Sequence, residues 1–198
     1  MADIVLTTLN ARYSHASFGL RYLLANLGDL QARTTLLEFD LRAPLNRMVD
    51  EILAAQPRIV GLGVYIWNVV KTTELVRTLR ARAPQLSLVL GGPEVSHEVD
   101  EQDICALADY VITDEGDLAF PDLCRRLLAG ERPAGHVIPG GFVDVNRLAL
   151  PYHLYSDRDI AERVVYVEAS RGCPFTCEFC LSSLNVPVRR FPLETLLP

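Results

Sequence analysis

The chain predicts an α/β fold with a doubly wound parallel sheet, on three observations. Apolar runs rich in β-branched residues alternate five times with stretches of helical period. The 198 residues are 49% hydrophobic and 22% charged, enough to bury one good-sized core and part of another. Aromatics, glycines and hydroxyls gather in the loops after the strands, as they do where an open parallel sheet binds a ligand beyond its carboxyl ends.

Ile4-Val5-Leu6-Thr7-Thr8-Leu9 is the first buried-strand candidate, and Leu20, Leu23, Leu24 and Leu27 start the first helix. Thr34 to Phe39 is the second strand. After Pro44, the positions Leu45, Met48, Val49, Ile52 and Leu53 give a clean apolar helix face. Arg58 to Val64 is the third strand, followed by a helix from about Val69 to Ala83 that must end before Pro84. Leu86 to Leu90 is the fourth strand, stopped by Gly91-Gly92-Pro93. A less regular helix covers about Val99 to Ala108. Tyr110 to Thr113 is the fifth strand, and Phe120, Leu123, Cys124, Leu127 and Leu128 mark the fifth helix, ended by Gly130. A five-strand doubly wound sheet takes, by expectation, the flavodoxin-like order 2-1-3-4-5 with right-handed crossovers.

Beyond Gly130 the pattern changes. Gly135 to Val145 reads as a short hairpin turned at Pro139-Gly140-Gly141, and Leu150 to Glu162 as a linker. Val164-Val165-Tyr166-Val167 reads as a strand, the first of a partial (β/α) barrel. It delivers Cys173-x3-Cys177-x2-Cys180, three of the five cysteines, on one loop. Thiolates suit zinc, copper(I) or iron–sulfur clusters. A structural zinc site wants four ligands, and no second cysteine pair is present. Three thiolates on a 4Fe–4S cube would leave one iron open. Phe191 to Pro198 reads as a helix that is cut off, so the chain reads as truncated. The expected division is therefore 1–130, 131–162 and 163–198.

Composition narrows the function. A net charge of −6 does not indicate a nucleic-acid surface, and Arg189-Arg190 is too short for a basic patch. No apolar run reaches the length of a membrane span, the start carries no signal-peptide pattern, and the cysteine usage suits a reducing cytoplasm. Cys105 and Cys124 read as small core residues, and His97, His136 and His153 as solvent-facing. No Ser-His-Asp or Cys-His spacing supports a hydrolase. No P-loop or G-x-G-x-x-G favours a nucleotide.

Cys173-x3-Cys177-x-Phe179-Cys180 resembles the cluster loop of the radical S-adenosylmethionine (radical SAM) superfamily. The resemblance implies a 4Fe–4S cluster on Cys173, Cys177 and Cys180, S-adenosylmethionine at the open iron, and Phe179 near the adenine. Residues 1–130 resemble the Rossmann-like cobalamin-binding domain that precedes the radical SAM domain in many enzymes. That likeness rests on Gly91-Gly92-Pro93 after strand four and on Asp114-Glu115-Gly116-Asp117 after strand five, where the family usually has Gly-Glu-Gly-Glu. It implies cobalamin contacts at Asn10, Tyr13, Ser14, His15, Tyr65, Trp67, Gly91, Gly92, Pro93, Glu115 and Gly116. The D-x-H-x-x-G pattern of domains that ligate cobalt from below is absent: Gly19 falls one residue late after His15, and no Asp stands two before it. The expected mode is base-off without a histidine ligand, with Tyr65, Ile66 or Trp67 covering the lower face. His15 as a ligand would need a partner to fix its tautomer. The implied full-length protein is a cytoplasmic radical SAM enzyme that needs an electron donor and acts on an unnamed substrate, by methyl transfer or by another radical reaction. The chain as given is expected to be inactive. The alternatives are a stand-alone cobalamin-binding module and a flavodoxin-like domain binding FMN or nothing.

Overall fold

The computed structural model describes residues 2–11, 15–184 and 187–197. The first 130 residues follow the expected alternation: β1 (Ile4–Asn10), α1 (Phe18–Asn26), β2 (Thr34–Asp40), α2 (Leu45–Ala54), β3 (Ile59–Gly63), α3 (Val69–Arg82), β4 (Ser87–Gly91), α4 (Asp103–Ala106), β5 (Tyr110–Thr113) and α5 (Ala119–Leu128). The irregular fourth helix is a single α-turn preceded by a 3-10 turn, Val99–Glu101.

The sheet order is 2-1-3-4-5-6, all parallel. The sixth strand corrects the sequence reading. Val137–Pro139, expected as half of a hairpin, is β6 and pairs with β5 through Val111↔Val137 and Thr113↔Pro139. At this edge the missing N–H of Pro139 leaves no ladder partner unpaired.

Side-chain parity along the strands divides the core in two. Val5, Leu9, Val60, Leu62, Leu88, Leu90 and Val111 pack with α2, α3 and α4 on one face. Ile4, Leu6, Ile59, Val89, Tyr110 and Ile112 pack with α1 and α5 on the other. A third, small cluster of Tyr22, Val145 and Phe191 fastens the C-terminal part to α1.

Residues after β6 are less regular. The charged linker contains α6 (Asp157–Glu162), opened by a reciprocal capping box between Ser156 and Asp159. Val164–Val167 is not a strand, a second correction. Val164 makes one bridge to His15, and the run is exposed. Among the described residues the strands here are two residues long: β7 (Ser170–Arg171), antiparallel to β8 (Arg189–Arg190). The final helix, α7, spans Leu193–Leu196.

Candidate functional site

The site begins with side chains that the sequence omits. On the α1/α5 face, β3 presents Gly61 and Gly63 where β1 presents Leu6 and Thr8. Gly63 pairs in turn with Gly91 of β4, which pairs with Ile112 of β5. β3 and β4 therefore end in a floor of three glycines, Gly61, Gly63 and Gly91. Above it lies a cavity of about 420 Å³, walled by Phe18, Tyr22 and Leu23 of α1 and by Tyr65, and reached by Asp114, Gly116 and Arg171.

The loop after β3 is rigidly placed. Asn68 is buried and donates to Thr8 Oγ1 (3.2 Å), the Leu9 carbonyl (3.1 Å) and the Gly63 carbonyl (3.2 Å), while accepting from the Tyr65 amide (2.8 Å). Tyr65 and Trp67 stack at 4.5 Å with an interplanar angle of 7°. Trp67 also donates to the Leu9 carbonyl (3.3 Å) and stays half exposed, beside exposed Ile66 and Val70. Burial raises the pKa of the Tyr65 phenol, so it remains a neutral donor.

Gly92 turns the chain after β4. Its φ is +113°, and a Cβ there would stand 2.4 Å from the Val64 carbonyl oxygen. The pair Gly91-Gly92 thus does two things: Gly91 opens the cavity floor, and Gly92 lets two loops lie against each other. Asp114 has φ +59°. A left-handed residue is what the glycine of the family pattern supplies, and aspartate is among the side chains that tolerate it.

Acids of the β5–α5 loop face the cysteine-bearing part. Asp117 is buried and takes a bidentate fork from Arg171 (2.7 and 3.1 Å). Arg171 also donates to Glu168 (3.0 Å) and covers the Tyr22 ring at 4.6 Å. Glu115 accepts from the Val143 amide (2.9 Å) and pairs with Arg189 (2.8 Å). Neither arginine stood out in the sequence as part of a site, since ion pairs between residues 54 and 74 positions apart leave no local pattern. Tyr22 Oη is buried at the cavity wall with no hydrogen bond of normal geometry. Burial, and after it the charge of Glu168, raises its pKa far above the usual phenol range.

The expected residues fall into three groups. Tyr65, Gly91, Gly92, Glu115 and Gly116 line the cavity. Asn10, His15, Trp67 and Pro93 do not line it. Asn10 donates to the His15 carbonyl (2.9 Å) and to Glu38 (3.1 Å), which shapes the loop after β1. His15 Nδ1 lies 2.7 Å from the hydroxyl of Tyr166, the tautomer-fixing kind of partner that the sequence did not reveal. Pro93 borders a neighbouring cavity of about 320 Å³ with Gly172 and Leu181. Tyr13 and Ser14 lie outside the described residues. His153 is exposed as expected, whereas His97 and His136 are half buried, His136 against the Asp109 carbonyl.

Cys173 and Cys180 are half buried, Cys177 is exposed, and none is in a disulfide. Among the described residues no three Cys, His, Asp or Glu side chains converge as ligands of one metal ion. Phe179 is 95% exposed. Cys105 and Cys124 are buried core thiols; burial, only partly offset by Arg125, pushes Cys124 up to about 12.

A doubly wound sheet whose carboxyl edge is floored by glycine and roofed by aromatics defines a cofactor-binding domain. Residues 4–124 match the model of the B12-binding domain, and the chain belongs to that family. It is 27% identical over 183 residues to the cobalamin-dependent radical SAM methyltransferase TokK of Streptomyces tokunonensis, covering 79% of this chain and 26% of TokK. It is 32% identical over 113 residues to the uncharacterized methyltransferase sll1242 of Synechocystis, covering 57% of this chain and 20% of that protein. The chain thus spans about a quarter of these relatives. The cobalamin-dependent S-adenosylmethionine radical enzyme OxsB, solved with aqua-cobalamin bound, superposes with a TM-score of 0.75 over 99% of this chain and 31% of OxsB, at 16% identity. No helix among the described residues is long and apolar enough to cross a membrane.

Proposed function

We propose that cobalamin binds across the carboxyl edge of this sheet, and that the chain is the cofactor-binding part of a cobalamin-dependent radical SAM enzyme. The observation that carries the first half is the glycine-floored cavity, whose floor and most of whose walls lie inside the family-matched residues. At about 420 Å³ it holds only part of so large a ligand. Its apolar floor and aromatic walls suit the flat base of the nucleotide tail, which leaves the corrin outside, over the loops after β1, β3 and β4. Gly91 and Gly116 admit the tail, Gly92 and Pro93 shape the rim, and Tyr65 or Tyr22 donates to a polar atom of the ligand. Trp67, with Ile66 and Val70 beside it, offers the apolar surface for a corrin face. Asn10, Tyr13, Ser14 and His15 are further proposed contacts. Base-off binding without a histidine remains the mode proposed, on the absence of the D-x-H-x-x-G pattern; the contact of His15 Nδ1 with Tyr166 is the support that a ligating histidine would need, so the spectrum decides.

The second half rests on Cys173, Cys177 and Cys180. They are free of disulfides and partly or fully exposed, the donor set that a three-thiolate 4Fe–4S site requires. Cys173, Cys177 and Cys180 would hold the cluster, which would supply the one electron for cleavage of S-adenosylmethionine to methionine and a 5′-deoxyadenosyl radical. Phe179, almost fully exposed, would meet the adenine. Methyl transfer to an unidentified substrate, fed by a cellular electron donor in the cytoplasm, is the reaction proposed for the whole enzyme. It is the activity that TokK and sll1242 carry in their names.

The test is a titration with hydroxocobalamin, gel filtration and an absorption spectrum. Co-elution with a base-off spectrum supports the reading; a nitrogen-ligated spectrum moves His15 into the cobalt site; no co-elution refutes it. Anaerobic cluster reconstitution with deoxyadenosine release separates the enzyme from a stand-alone module.

A further inference from the structure

Arg171 belongs to two sites at once. Its side chain lines the cavity, forks onto Asp117 (2.7 and 3.1 Å), reaches Glu168 (3.0 Å) and lies over the Tyr22 ring (4.6 Å). Its backbone is fixed in β7 against Arg189, and it stands two residues before Cys173. Glu168, Ser170 and Gly172 line the same cavity. A ligand there meets the residues from which the cysteine loop springs.

We infer that Arg171 is a positioning residue that couples occupancy of the cavity by a corrinoid to the geometry of the Cys173–Cys180 loop, with Asp117 as its anchor. The inference rests on the corrinoid reading above. Asp117 is buried and follows Gly116, itself a cavity residue, so ligand, fork and loop share one packed contact chain. Ordering these residues once serves both sites, so each ligand favours the other. A lysine keeps the charge but lacks the planar fork that holds a carboxylate in two places. Arg189 offers an internal contrast. It pairs with Glu115 and holds the same short ladder, yet it does not line the cavity.

The experiment uses the whole chain and cyanocobalamin. A short anaerobic pulse of iodoacetamide is followed by tryptic cleavage, and labels on the peptide that starts at Gly172 and carries the three loop cysteines are counted by mass spectrometry. In the wild type, saturating cyanocobalamin slows labelling roughly fivefold or more, the low end of ordinary couplings. In Asp117→Asn and Arg171→Lys, at corrinoid concentrations shown to saturate each variant, the slowing falls below about twofold, and corrinoid affinity drops as well, since loop order no longer favours binding. Arg189→Gln speeds labelling with and without corrinoid but keeps the ratio. Circular dichroism and continued protection of buried Cys124 establish that each variant is folded; Arg171→Lys, which retains the charge, serves if Asp117→Asn is not. Unchanged labelling in a wild type that binds cyanocobalamin overturns the coupling alone, as does full slowing in both saturated variants. A wild type that binds no corrinoid overturns the cobalamin reading itself.

Discussion

Ile59-Val60 and Val164-Val165 are runs of the same residue type with opposite fates. The first pair is at most 1% exposed inside β3; the second is 50% and 39% exposed and forms no strand. The difference lies in partners. β3 lies between β1 and β4 and satisfies its backbone on both sides, whereas the Val164 run is tied by scattered bonds, Ala16 N donating to the Val164 carbonyl (3.1 Å) and the Tyr155 hydroxyl meeting the Tyr166 carbonyl (3.1 Å) and amide (3.3 Å). β-propensity describes residues that fit a half-buried pleated surface, and it makes no strand without one. The sheet domain is held by two apolar cores, while the segments after it are held on by ion pairs and a few aromatic contacts.

One of these attachments is itself buried, and removing it carries the largest expected cost. Arg21 of α1 is 3% exposed and bridges Glu38 (3.0 Å) and Asp159 (3.0 Å), while Arg163 joins the same acids (2.8 and 3.3 Å). Arg21→Met leaves two buried carboxylates with one half-buried arginine. The expected loss is about 3–5 kcal/mol in chemical denaturation, the usual result of stripping one partner from a buried pair. A loss below about 1 kcal/mol would erase the contrast, because the linker would then need no electrostatic attachment.

Next comes a change that separates binding from folding. A β-carbon added at Gly91 would meet no atom closer than 3.6 Å, and the φ of Gly91 is not left-handed. Gly91→Val therefore suits a strand end while filling the cavity floor. Corrinoid affinity should fall at least about tenfold, a difference of about 1.4 kcal/mol, with denaturant stability changed by less than about 1 kcal/mol. Equal affinity in a titration would place the ligand away from the floor.

The five strands and four of the five helices of the first 130 residues were legible because each period is local and several stops carry a proline or glycine, as at Pro84, Gly91 and Gly130. Gly91-Gly92 and the cysteine spacing were legible for the same reason. β6 was not: three residues ending in Pro139 become a strand only because β5 offers them a free edge. Nor were the roles of Arg171, Arg189 and Asp117, whose partners are chosen by the fold across long separations. Glu115 illustrates the limit of motif reading. It lines the cavity as the family pattern implies, yet its carboxylate also serves Arg189 and the Val143 amide.

Thiol chemistry sharpens the same comparison at smaller scale. Cys105 and Cys124 belong to the two faces of the core, and burial raises both pKa values. The three loop cysteines have no such cover. With excess iodoacetamide at neutral pH, three thiols should react in a fast phase and two in a phase at least about tenfold slower, since the thiolate is the reacting form. Five equal rates would mean that the core opens as readily as the segments attached to it.

The smallest effect concerns pH. Burial alone would raise Asp159, but hydrogen bonds from Ser156 and the charge and hydrogen bond of Arg21 outweigh it, and its pKa lies below the ordinary 3.8. A carboxylate depressed in the folded state stabilises that state above its unfolded pKa, and the contribution fades as pH falls through the folded value. The attachment of α6 should hold unchanged from neutral pH to about pH 4, then weaken below it. Hydrogen exchange of the α6 amides, compared with those of β3 over that range, reads the loss directly. In Asp159→Asn the α6 amides should exchange faster at every pH and show a smaller acid-dependent change than in the wild type. An equal acid response in the variant would show that Asp159 is not the group responsible.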